Sequence, residues 1–364
     1  MRQDQVNFTV YQLGDLNLRS DIETSLWEAN DTQPLYRFVF FNKAIKVDND
    51  KYRLPNGGFA LDEIADELSR KHQIKEPAIF FTSLPLGDRA SGTKRNDFWF
   101  DNYDVACPKR PLIISTYWWE RKFKKRYVKP FILMELSGFF IWSKTGIMPH
   151  EKVRKCINDL NDDIVSVIKC FEGNGFCSDC WPQIEGTIDN RKIGFLELAT
   201  ALKLFYKAKD QKICFVAMPF RKNMESIFGI IHKVLKEPKW SVLRADKMKN
   251  FRSITNAIFY GIFIADSIIA DLTGKNANVA FELGIATALS KNIYLITQNK
   301  KLPFDLQDKR TIFYGPVMKK SPNNLEGNKT NSQGSSTRKP NLSKLKTELL
   351  RTFEEEQTRE KNSL

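Results

Sequence analysis

The sequence predicts an α/β protein in which a C-terminal, doubly wound parallel sheet follows an α+β domain. From Ile213 onward, short apolar segments alternate with helical patterns, as expected for parallel strands joined by helices. The first half begins with β-type segments and later contains a long apolar helix pattern. The chain has 364 residues, more than a single domain usually has, so we expect two domains.

The elements of the first half follow from local patterns. Branched and aromatic residues predict strands, and apolar residues at helical spacing predict helices. We expect strands at 7–16, 36–46, 78–84 and 112–117, and helices at 61–71, 128–142 and 192–207. In segment 118–126, two tryptophans precede a run of cations. This segment indicates either a solvated basic turn with two core-capping tryptophans or a surface for single-stranded nucleic acid.

The second half has a more regular alternation. We expect strands at 213–218, 241–245, 267–271 and 292–297, with an edge strand at 312–314, and helices at 223–235, 253–265 and 279–289. Changes in composition then divide the whole chain. The divisions are an α+β domain at 1–191, a connecting helix and linker at 192–211, the sheet domain at 212–316, a disordered linker at 317–341, and a short terminal helix with a tail at 342–364.

Charge and hydropathy limit the class of protein. The chain carries a net charge of +14, which favours encounter with polyanions. The sequence contains no apolar run long enough to cross a bilayer, and no apolar signal-peptide core follows Met1. We therefore expect a cytoplasmic protein without a membrane partner.

Four residues have the spacing of a zinc site. His150, Cys156, Cys177 and Cys180 form the pattern H-x5-C-x20-C-x2-C. Thiolates and an imidazole suit tetrahedral zinc, and reduced cysteines in a cytosolic protein indicate a metal before a disulfide. We therefore predict structural zinc. Cys170 is an alternative to His150 as the fourth ligand, and a set of buried reduced cysteines is the alternative to a metal.

Polar residues follow the predicted strands of the second half, where open parallel sheets bind ligands. Asp271 ends a strand and Glu282 follows on an apolar helix, so both carboxylates are predicted to face one crevice. In such a place Glu282 either is desolvated, with a perturbed pKa, or uses its charge on a ligand. The alternatives are a loop-capping role for Asp271 and a helix-dipole role for Glu282. The predicted substrate-binding residues are Pro219, Phe220, Arg244, Asp246, Asn276 and Asn278. An ordinary surface ion pair is the alternative for Arg244 and Asp246.

The segment from Asp271 to Ala286 resembles the signature of nucleoside 2-deoxyribosyltransferases and related deoxynucleotide N-glycosidases, in the branch found in bacterial defence-type fusions. The strand and loop ending in Pro219 and Phe220 also resemble that family. The resemblance implies a flavodoxin/TIR-like layout, a nucleophilic Glu282, an Asp271 that orients the sugar or handles a proton, and an Asn276 that contacts the sugar-phosphate. This loop carries Asn276 and Asn278 where family members favour serine or glycine, so the resemblance does not specify the substrate.

The first half resembles a degenerate archaemetzincin-like zinc metallopeptidase in its order of elements and its cysteine spacing. The corresponding helix contains Met134-Glu135-Leu136-Ser137-Gly138 where that family has H-E-x-x-H. Without the two histidines there is no catalytic zinc site, so the resemblance implies a pseudo-protease that retains at most structural zinc.

Together these patterns predict an N-glycosidase or glycosyl-transferring enzyme, a hydrolase or a transferase, that acts on a nucleotide, a nucleoside or NAD. We expect a regulated effector of a bacterial antiviral or conflict system, with a regulatory protein or nucleic acid as partner and with a homo-oligomer as one arrangement. The alternatives are a non-catalytic nucleotide-sensing adaptor and a nucleic-acid-binding protein that uses its basic N-terminal domain, whose affinity would fall steeply with salt.

Overall fold

The structure, a computed structural model of the full chain, describes residues 5–33, 35–70, 74, 77–87, 111–122, 127–150, 152–159, 164–173, 175–189, 194–236, 240–248, 251, 253–299, 302, 306, 309, 311–315 and 340–362. The chain forms two compact units. Unit 1 comprises Met1–Gln211 with Asn250–Arg252, and unit 2 comprises Lys212–Lys249 with Ser253–Leu364. Except for its last two residues, the predicted linker at 317–341 lies outside the described residues.

Unit 1 contains a four-stranded parallel sheet and a separate pair of short parallel strands. The strands of unit 1 are β1 (Val6–Leu13), β2 (Tyr36–Ile45), β3 (Phe59–Ala60), β4 (Ala78–Thr82), β5 (Leu86–Gly87) and β6 (Leu112–Ser115). The larger sheet has the order β2-β1-β4-β6, and β3 pairs with β5. All residues of β4 and β6 are buried, in accord with their uninterrupted apolar sequences.

The helices of unit 1 are α1 (Arg19–Thr32), α2 (Asn49–Tyr52), α3 (Leu61–Arg70), α4 (Tyr117–Lys122), α5 (Val128–Thr145), α6 (Ile164–Glu172), α7 (Cys180–Asp189) and α8 (Phe195–Ala208). The longest, α5, packs against α1 and α8. On its sheet-facing side the ring of Phe140 stacks on Tyr36 of β2 at a centroid distance of 4.0 Å. The helix ends at Gly146, whose left-handed backbone (φ 65°) closes the last turn.

The tryptophan-containing segment at 118–126 begins in a helix rather than in a turn, because Tyr117–Lys122 forms α4. Trp119 is buried against Phe131 at a ring distance of 4.0 Å, as expected of a core-capping tryptophan. Residues 123–126 lie outside the described part of the chain. The predicted connecting helix, now α8, packs on α5 within unit 1, so it belongs to the core of that unit.

Unit 2 contains a five-stranded sheet in which every pairing is parallel. Its strands are β7 (Lys212–Ala217), β8 (Trp240–Leu243), β9 (Ser267–Asp271), β10 (Asn292–Thr297) and β11 (Thr311–Phe313). The order across the sheet is β11-β10-β9-β7-β8. Its helices are α9 (Glu225–Lys236), α10 (Ile254–Ile264), α11 (Ala277–Ala288) and α12 (Leu342–Asn362).

Alternate residues of the central strands pack on opposite faces of this sheet. Cys214 and Val216 of β7 share a core cluster with buried residues of α9 and α12. Phe215 lies toward α10, where Gly261 approaches so closely that an added Cβ atom would stand 2.3 Å from the Phe215 ring. The predicted short terminal helix has 21 residues and buries Leu345, Leu349 and Phe353 in unit 2.

Among the described residues, no helix combines the length and the apolar content that a bilayer crossing requires.

Candidate metal centre and candidate active site

The predicted zinc ligands converge in unit 1. His150 follows α5, Cys156 lies in the next loop, and Cys177 and Cys180 flank the start of α7. One ligand atom from each of the four lies within 4.8 Å of the others. The Nε2 atom of His150 is 3.2 Å from Cys177 Sγ and 3.1 Å from Cys180 Sγ, and the sulfurs of Cys156 and Cys180 are 3.9 Å apart.

These distances fit a zinc ion. Zinc–sulfur bonds of about 2.3 Å in a tetrahedron place neighbouring sulfurs about 3.8 Å apart, close to the Cys156–Cys180 separation. A disulfide would need a sulfur separation of about 2 Å, and all four cysteines of this region, Cys170 included, are free. The zinc prediction is confirmed in this form: the chain has a His/Cys3 group that could bind zinc.

Neighbouring polar groups support the sulfur atoms as thiolates. The backbone N–H groups of Asn158 and Cys177 donate to Cys156 Sγ at 3.4 and 3.3 Å, and the Asn158 side-chain amide donates to Cys180 Sγ at 3.6 Å. Trp142 Nε1 in turn donates to Asn158 Oδ1 at 2.5 Å and fixes that amide. Such donors stabilise negative charge on sulfur and orient metal ligands. Zinc bound here would cross-link three segments and add folding free energy.

Cys170 does not join this group. It is buried, and its thiol donates to the backbone carbonyl of Cys156 at 3.1 Å. Of the two candidates for the fourth ligand, His150 therefore lies in the group that could bind zinc, and Cys170 does not. Glu135, in the place of the missing metallopeptidase motif, is buried on α5. Ser137 on the same helix donates to the Ala201 carbonyl at 2.5 Å, a structural contact.

In unit 2, Asp271 ends β9 and is fully buried. Its Oδ1 accepts from the Thr273 backbone N–H at 2.9 Å, and its Oδ2 accepts from the Tyr314 hydroxyl at 2.5 Å. The loop-capping role is therefore real, but it occupies only one carboxylate oxygen. Burial raises the pKa of Asp271, and the hydrogen bonds from Thr273 and Tyr314 oppose that rise.

Tyr314 links the ends of three neighbouring strands. Its hydroxyl lies 3.2 Å from Thr273 Oγ1 and accepts from Gln298 Nε2 at 3.3 Å. The Gln298 backbone N–H donates to Thr273 Oγ1 at 3.0 Å. Burial raises the pKa of Tyr314, and the negative charge of Asp271 raises it further. The phenol therefore keeps its proton and remains a hydrogen-bond donor to Asp271.

Glu282 lies on the sheet-facing side of α11, together with the buried residues Val279, Leu283 and Ala286. Only 3% of its surface is exposed, and its Oε2 atom is buried without a hydrogen-bond partner among the residues that the structure describes. Burial raises the pKa of Glu282 to about 7. Because Glu282 is beyond the first turn of α11, the helix-dipole alternative does not account for it. Within the described part of the chain, Asp271 accepts hydrogen bonds from Thr273 and Tyr314 and not from Glu282.

Arg244 and Asp246 follow β8 and form a bidentate ion pair, with Nε–Oδ1 at 2.6 Å and Nη2–Oδ2 at 2.8 Å. The surface interpretation of this pair is wrong, because Arg244 is only 1% exposed. Arg244 also pairs with Glu225 at the start of α9 and lies over the Phe228 ring at 4.3 Å. The carboxylates of Asp246 and Glu225 neutralise the Arg244 guanidinium, which is buried away from water.

The remaining predicted residues line the loops after β7 and β9. Pro219 is buried, whereas Phe220 is 46% exposed. Asn276 caps α11, and its Oδ1 accepts from the backbone N–H groups of Asn278 and Val279 at 2.9 and 3.3 Å. This capping bond occupies the side-chain oxygen of Asn276, so its amide nitrogen is the group left for a ligand. Asn278 is exposed in the first turn.

Comparisons with known proteins show distant likenesses only. The chain matches no family model and no curated protein. Archaemetzincin from Methanopyrus kandleri has 16% identity and a TM-score of 0.38, over 52% of this chain and 98% of that protein. Archaemetzincin from Archaeoglobus fulgidus, crystallised with malonate, has 12% identity and a TM-score of 0.37, over 49% of this chain and 99% of that protein. Both belong to the group that the first half of the sequence resembles. Similarities this distant do not indicate an activity for this chain.

Proposed function

We propose that unit 2 is an N-glycosidase or glycosyl-transferring enzyme that acts on a nucleotide, a nucleoside or NAD, with Glu282 as the nucleophile. The observation that carries this proposal is the buried Glu282 Oε2 atom without a hydrogen-bond partner. A buried carboxylate that lacks a partner destabilises a fold. Its presence on an otherwise apolar helix therefore favours a functional role, in which the missing partner is the substrate.

The strand order supports the position of such a site. Numbered within unit 2, the order is 2-1-3-4-5, which is that of flavodoxin-like doubly wound sheets. In these sheets a ligand lies beyond the carboxyl ends of the strands, near the reversal of strand order. The reversal falls here between β7 and β9, whose following loops contain Phe220 and Asn276 and whose strand end contains Asp271.

The proposed reaction uses covalent catalysis. The Glu282 carboxylate forms a bond to the anomeric carbon of the sugar while the bond from that carbon to the base nitrogen breaks, and the base leaves with that electron pair. Nicotinamide leaves NAD as a neutral base, whereas the base of an uncharged nucleoside also takes a proton from water as it leaves. Water then releases the sugar in hydrolysis, or a second base receives it in transfer. In this proposal Asp271, whose two oxygens accept from Thr273 and Tyr314, accepts a further hydrogen bond from a sugar hydroxyl.

The ionisation of Glu282 favours a second candidate, a nucleotide sensor without turnover. A group with a pKa of about 7 is substantially protonated at neutral pH, and the protonated form binds as a hydrogen-bond donor but does not attack carbon. A sensor would bind nucleotide most tightly below that pKa. The enzyme instead becomes faster as the pH rises through it.

For unit 1 we propose regulation rather than proteolysis. Helix α5 presents Glu135 without the histidines that a catalytic zinc needs, and the His/Cys3 group has the all-protein ligand set of a structural site. In this proposal unit 1 recognises a trigger, a protein or a nucleic acid, and unit 2 acts as the effector of a bacterial antiviral or conflict system.

The test is base release by the purified full-length protein, Glu282→Gln and the matched control Glu354→Gln, an exposed acid on α12. Each is incubated with NAD, ribonucleotides, deoxynucleotides and nucleosides, and released base is separated by chromatography. The enzyme proposal expects release by the wild type and the control, and a loss of about 1000-fold or more in Glu282→Gln. Saturable nucleotide binding without any release would support the sensor and contradict the enzyme.

A further inference from the structure

Asp246 presents a fixed acceptor at the carboxyl edge of the unit 2 sheet. Arg244 holds both of its carboxylate oxygens, at 2.6 and 2.8 Å, and is itself held by Glu225. An ionised carboxylate has about four acceptor positions, of which this pairing uses two. The Asp246 side chain remains 26% exposed, so acceptor capacity is left on the solvent side.

A charged cluster forms around Asp246 from Arg244, Glu225 and Lys247, and both of its cations are already paired with acids. Arg244 pairs with Asp246 and Glu225, and Lys247 Nζ lies 3.2 Å from Glu225 Oε2. The cluster therefore has two positive and two negative charges, and Asp246 is its exposed hydrogen-bond acceptor at the end of β8. In the dinucleotide-binding variety of doubly wound sheet, an acid that follows the second strand accepts from the 2′-hydroxyl of a ribose. Asp246 likewise follows the second strand of this flavodoxin-like sheet.

Asp246 and Asp271 lie at the same edge of the sheet but on different strands. Leu243 pairs with Phe215, and Ala270 pairs with Ala217. Asp271 ends β9, whereas Asp246 follows β8 within the short 3-10 turn Ala245–Lys247. Because β7 lies between β8 and β9, two strand spacings, or about 10 Å, separate the strand ends from which the two acids extend. One pentose cannot reach both.

An aromatic side chain extends from the loop between these two positions. Phe220 follows β7 and is 46% exposed, and its ring centroid is 6.0 Å from the Arg244 guanidinium carbon. An exposed aromatic ring offers a stacking surface to any base.

Resting on the proposed function, we propose that the substrate is a pyrophosphate-linked dinucleotide. One ribose reacts near Asp271 and Glu282, the pyrophosphate crosses the end of β7, and the second ribose donates its 2′-hydroxyl to Asp246 while its base stacks on Phe220. A phosphate on that 2′-oxygen would remove the donor and place negative charge against the Asp246 carboxylate. The site is therefore selective for a free 2′-hydroxyl.

The test measures binding in the full-length Glu282→Gln protein, in which turnover is blocked. The probes are NAD, NADP, AMP and nicotinamide mononucleotide, followed by calorimetry. We expect NAD to bind at least about tenfold more tightly than either mononucleotide, because a mononucleotide fills only one of the two ribose positions. We also expect NAD to bind at least about tenfold more tightly than NADP, since one hydrogen bond to a charged group has that effect. Equal affinity for NAD and the mononucleotides would overturn the proposal.

Variants at Asp246 and Phe220 distinguish a loss of dinucleotide recognition from a loss of folding. Asp246→Asn should shift the NAD-to-NADP affinity ratio toward NADP by about tenfold, a direction that unfolding cannot produce. Phe220→Ala, at an exposed ring, should weaken NAD by about fivefold or more. Glu354→Gln should change neither value. An unchanged ratio in Asp246→Asn would contradict the role of Asp246.

The two proposals can fail separately. Dinucleotide binding with the expected selectivity, but without base release by the wild type, would refute the enzyme and leave the ligand class standing. Base release from deoxynucleotides by a protein that does not bind NAD would refute the dinucleotide and leave the enzyme standing.

Discussion

The Tyr314 hydroxyl donates a 2.5 Å hydrogen bond to Asp271 Oδ2 across 43 residues of sequence. Tyr314 follows the edge strand β11, and Asp271 ends β9, with β10 between them. A buried carboxylate with two donors has one preferred orientation, because both of its oxygens are held. We therefore treat Tyr314 as a positioning residue for Asp271, which would contact the sugar.

Tyr314→Phe removes this donor and leaves Asp271 Oδ2 without its phenolic partner. The expected cost is about 1–3 kcal/mol in the free energy of unfolding of unit 2, with a fall in kcat for base release. Tyr294→Phe is the matched control, because Tyr294 donates to the carboxylate of Glu356 at 2.6 Å on α12. Urea unfolding should show a loss in both variants, whereas kcat should fall only in Tyr314→Phe. Equal kcat values in the two variants would refute the positioning role.

Glu282→Gln should stabilise the protein at alkaline pH. The folded-state pKa of Glu282 is raised from 4.5 to about 7, so the folded state holds a proton that the unfolded state has released between these values. Stability therefore falls as the pH rises through this window, and the loss is complete above it. We expect Glu282→Gln to exceed the wild type by about 1–3 kcal/mol at pH 8, and by little at pH 4.5. Thermal unfolding at both pH values, with Glu354→Gln as control, measures this difference. A gain of equal size at both pH values would contradict the ionisation argument.

The secondary structure around the two candidate carboxylates was predictable because it is contiguous in sequence. Asp271 ends a strand and Glu282 lies on the helix that follows it, as their spacing predicted. Tyr314 was missed because its contact depends on the pairing of β11 beside β10, which local patterns do not reveal. Arg244 was predicted to bind substrate, with a surface ion pair as the alternative, and its burial was not foreseen. Its burial depends on Glu225, a partner 19 residues away on another element.

The strands and helices of unit 2 were predictable because short apolar segments alternate with helical patterns in its sequence. Strands β9 and β10 have the expected bounds. Helix α1 was not predicted, because its sequence is rich in Asp, Asn, Thr and Ser, which favour turns and caps. Its buried face consists only of Ile22, Ser25, Leu26 and Ala29. Tertiary packing against α5 therefore stabilises a segment with weak intrinsic helix propensity.

Cys180→Ser should abolish zinc binding, whereas Cys170→Ser should leave it intact. Cys180 lies 3.1 Å from His150 Nε2 within the ligand group, but Cys170 bonds to a backbone carbonyl. Metal analysis of the purified wild type should find about one zinc ion per chain, and about none in Cys180→Ser. Chelation should lower the melting temperature of the wild type and of Cys170→Ser, but not of Cys180→Ser. If Cys170→Ser lost zinc and Cys180→Ser retained it, Cys170 rather than Cys180 would be the ligand.

Phe353→Ala should destabilise unit 2 strongly, because α12 belongs to its core. The Phe353 ring is buried and lies 4.9 Å from Tyr294 and 5.3 Å from Trp240. Removing such a ring costs about 3–5 kcal/mol through lost burial and a residual cavity. Hydrogen–deuterium exchange of β7 and β10 peptides reports on unit 2 separately from unit 1. Thr358→Ala, at an exposed position of the same helix, should change exchange little. If α12 only rests on the surface, Phe353→Ala will speed exchange in α12 and leave the β7 and β10 peptides protected.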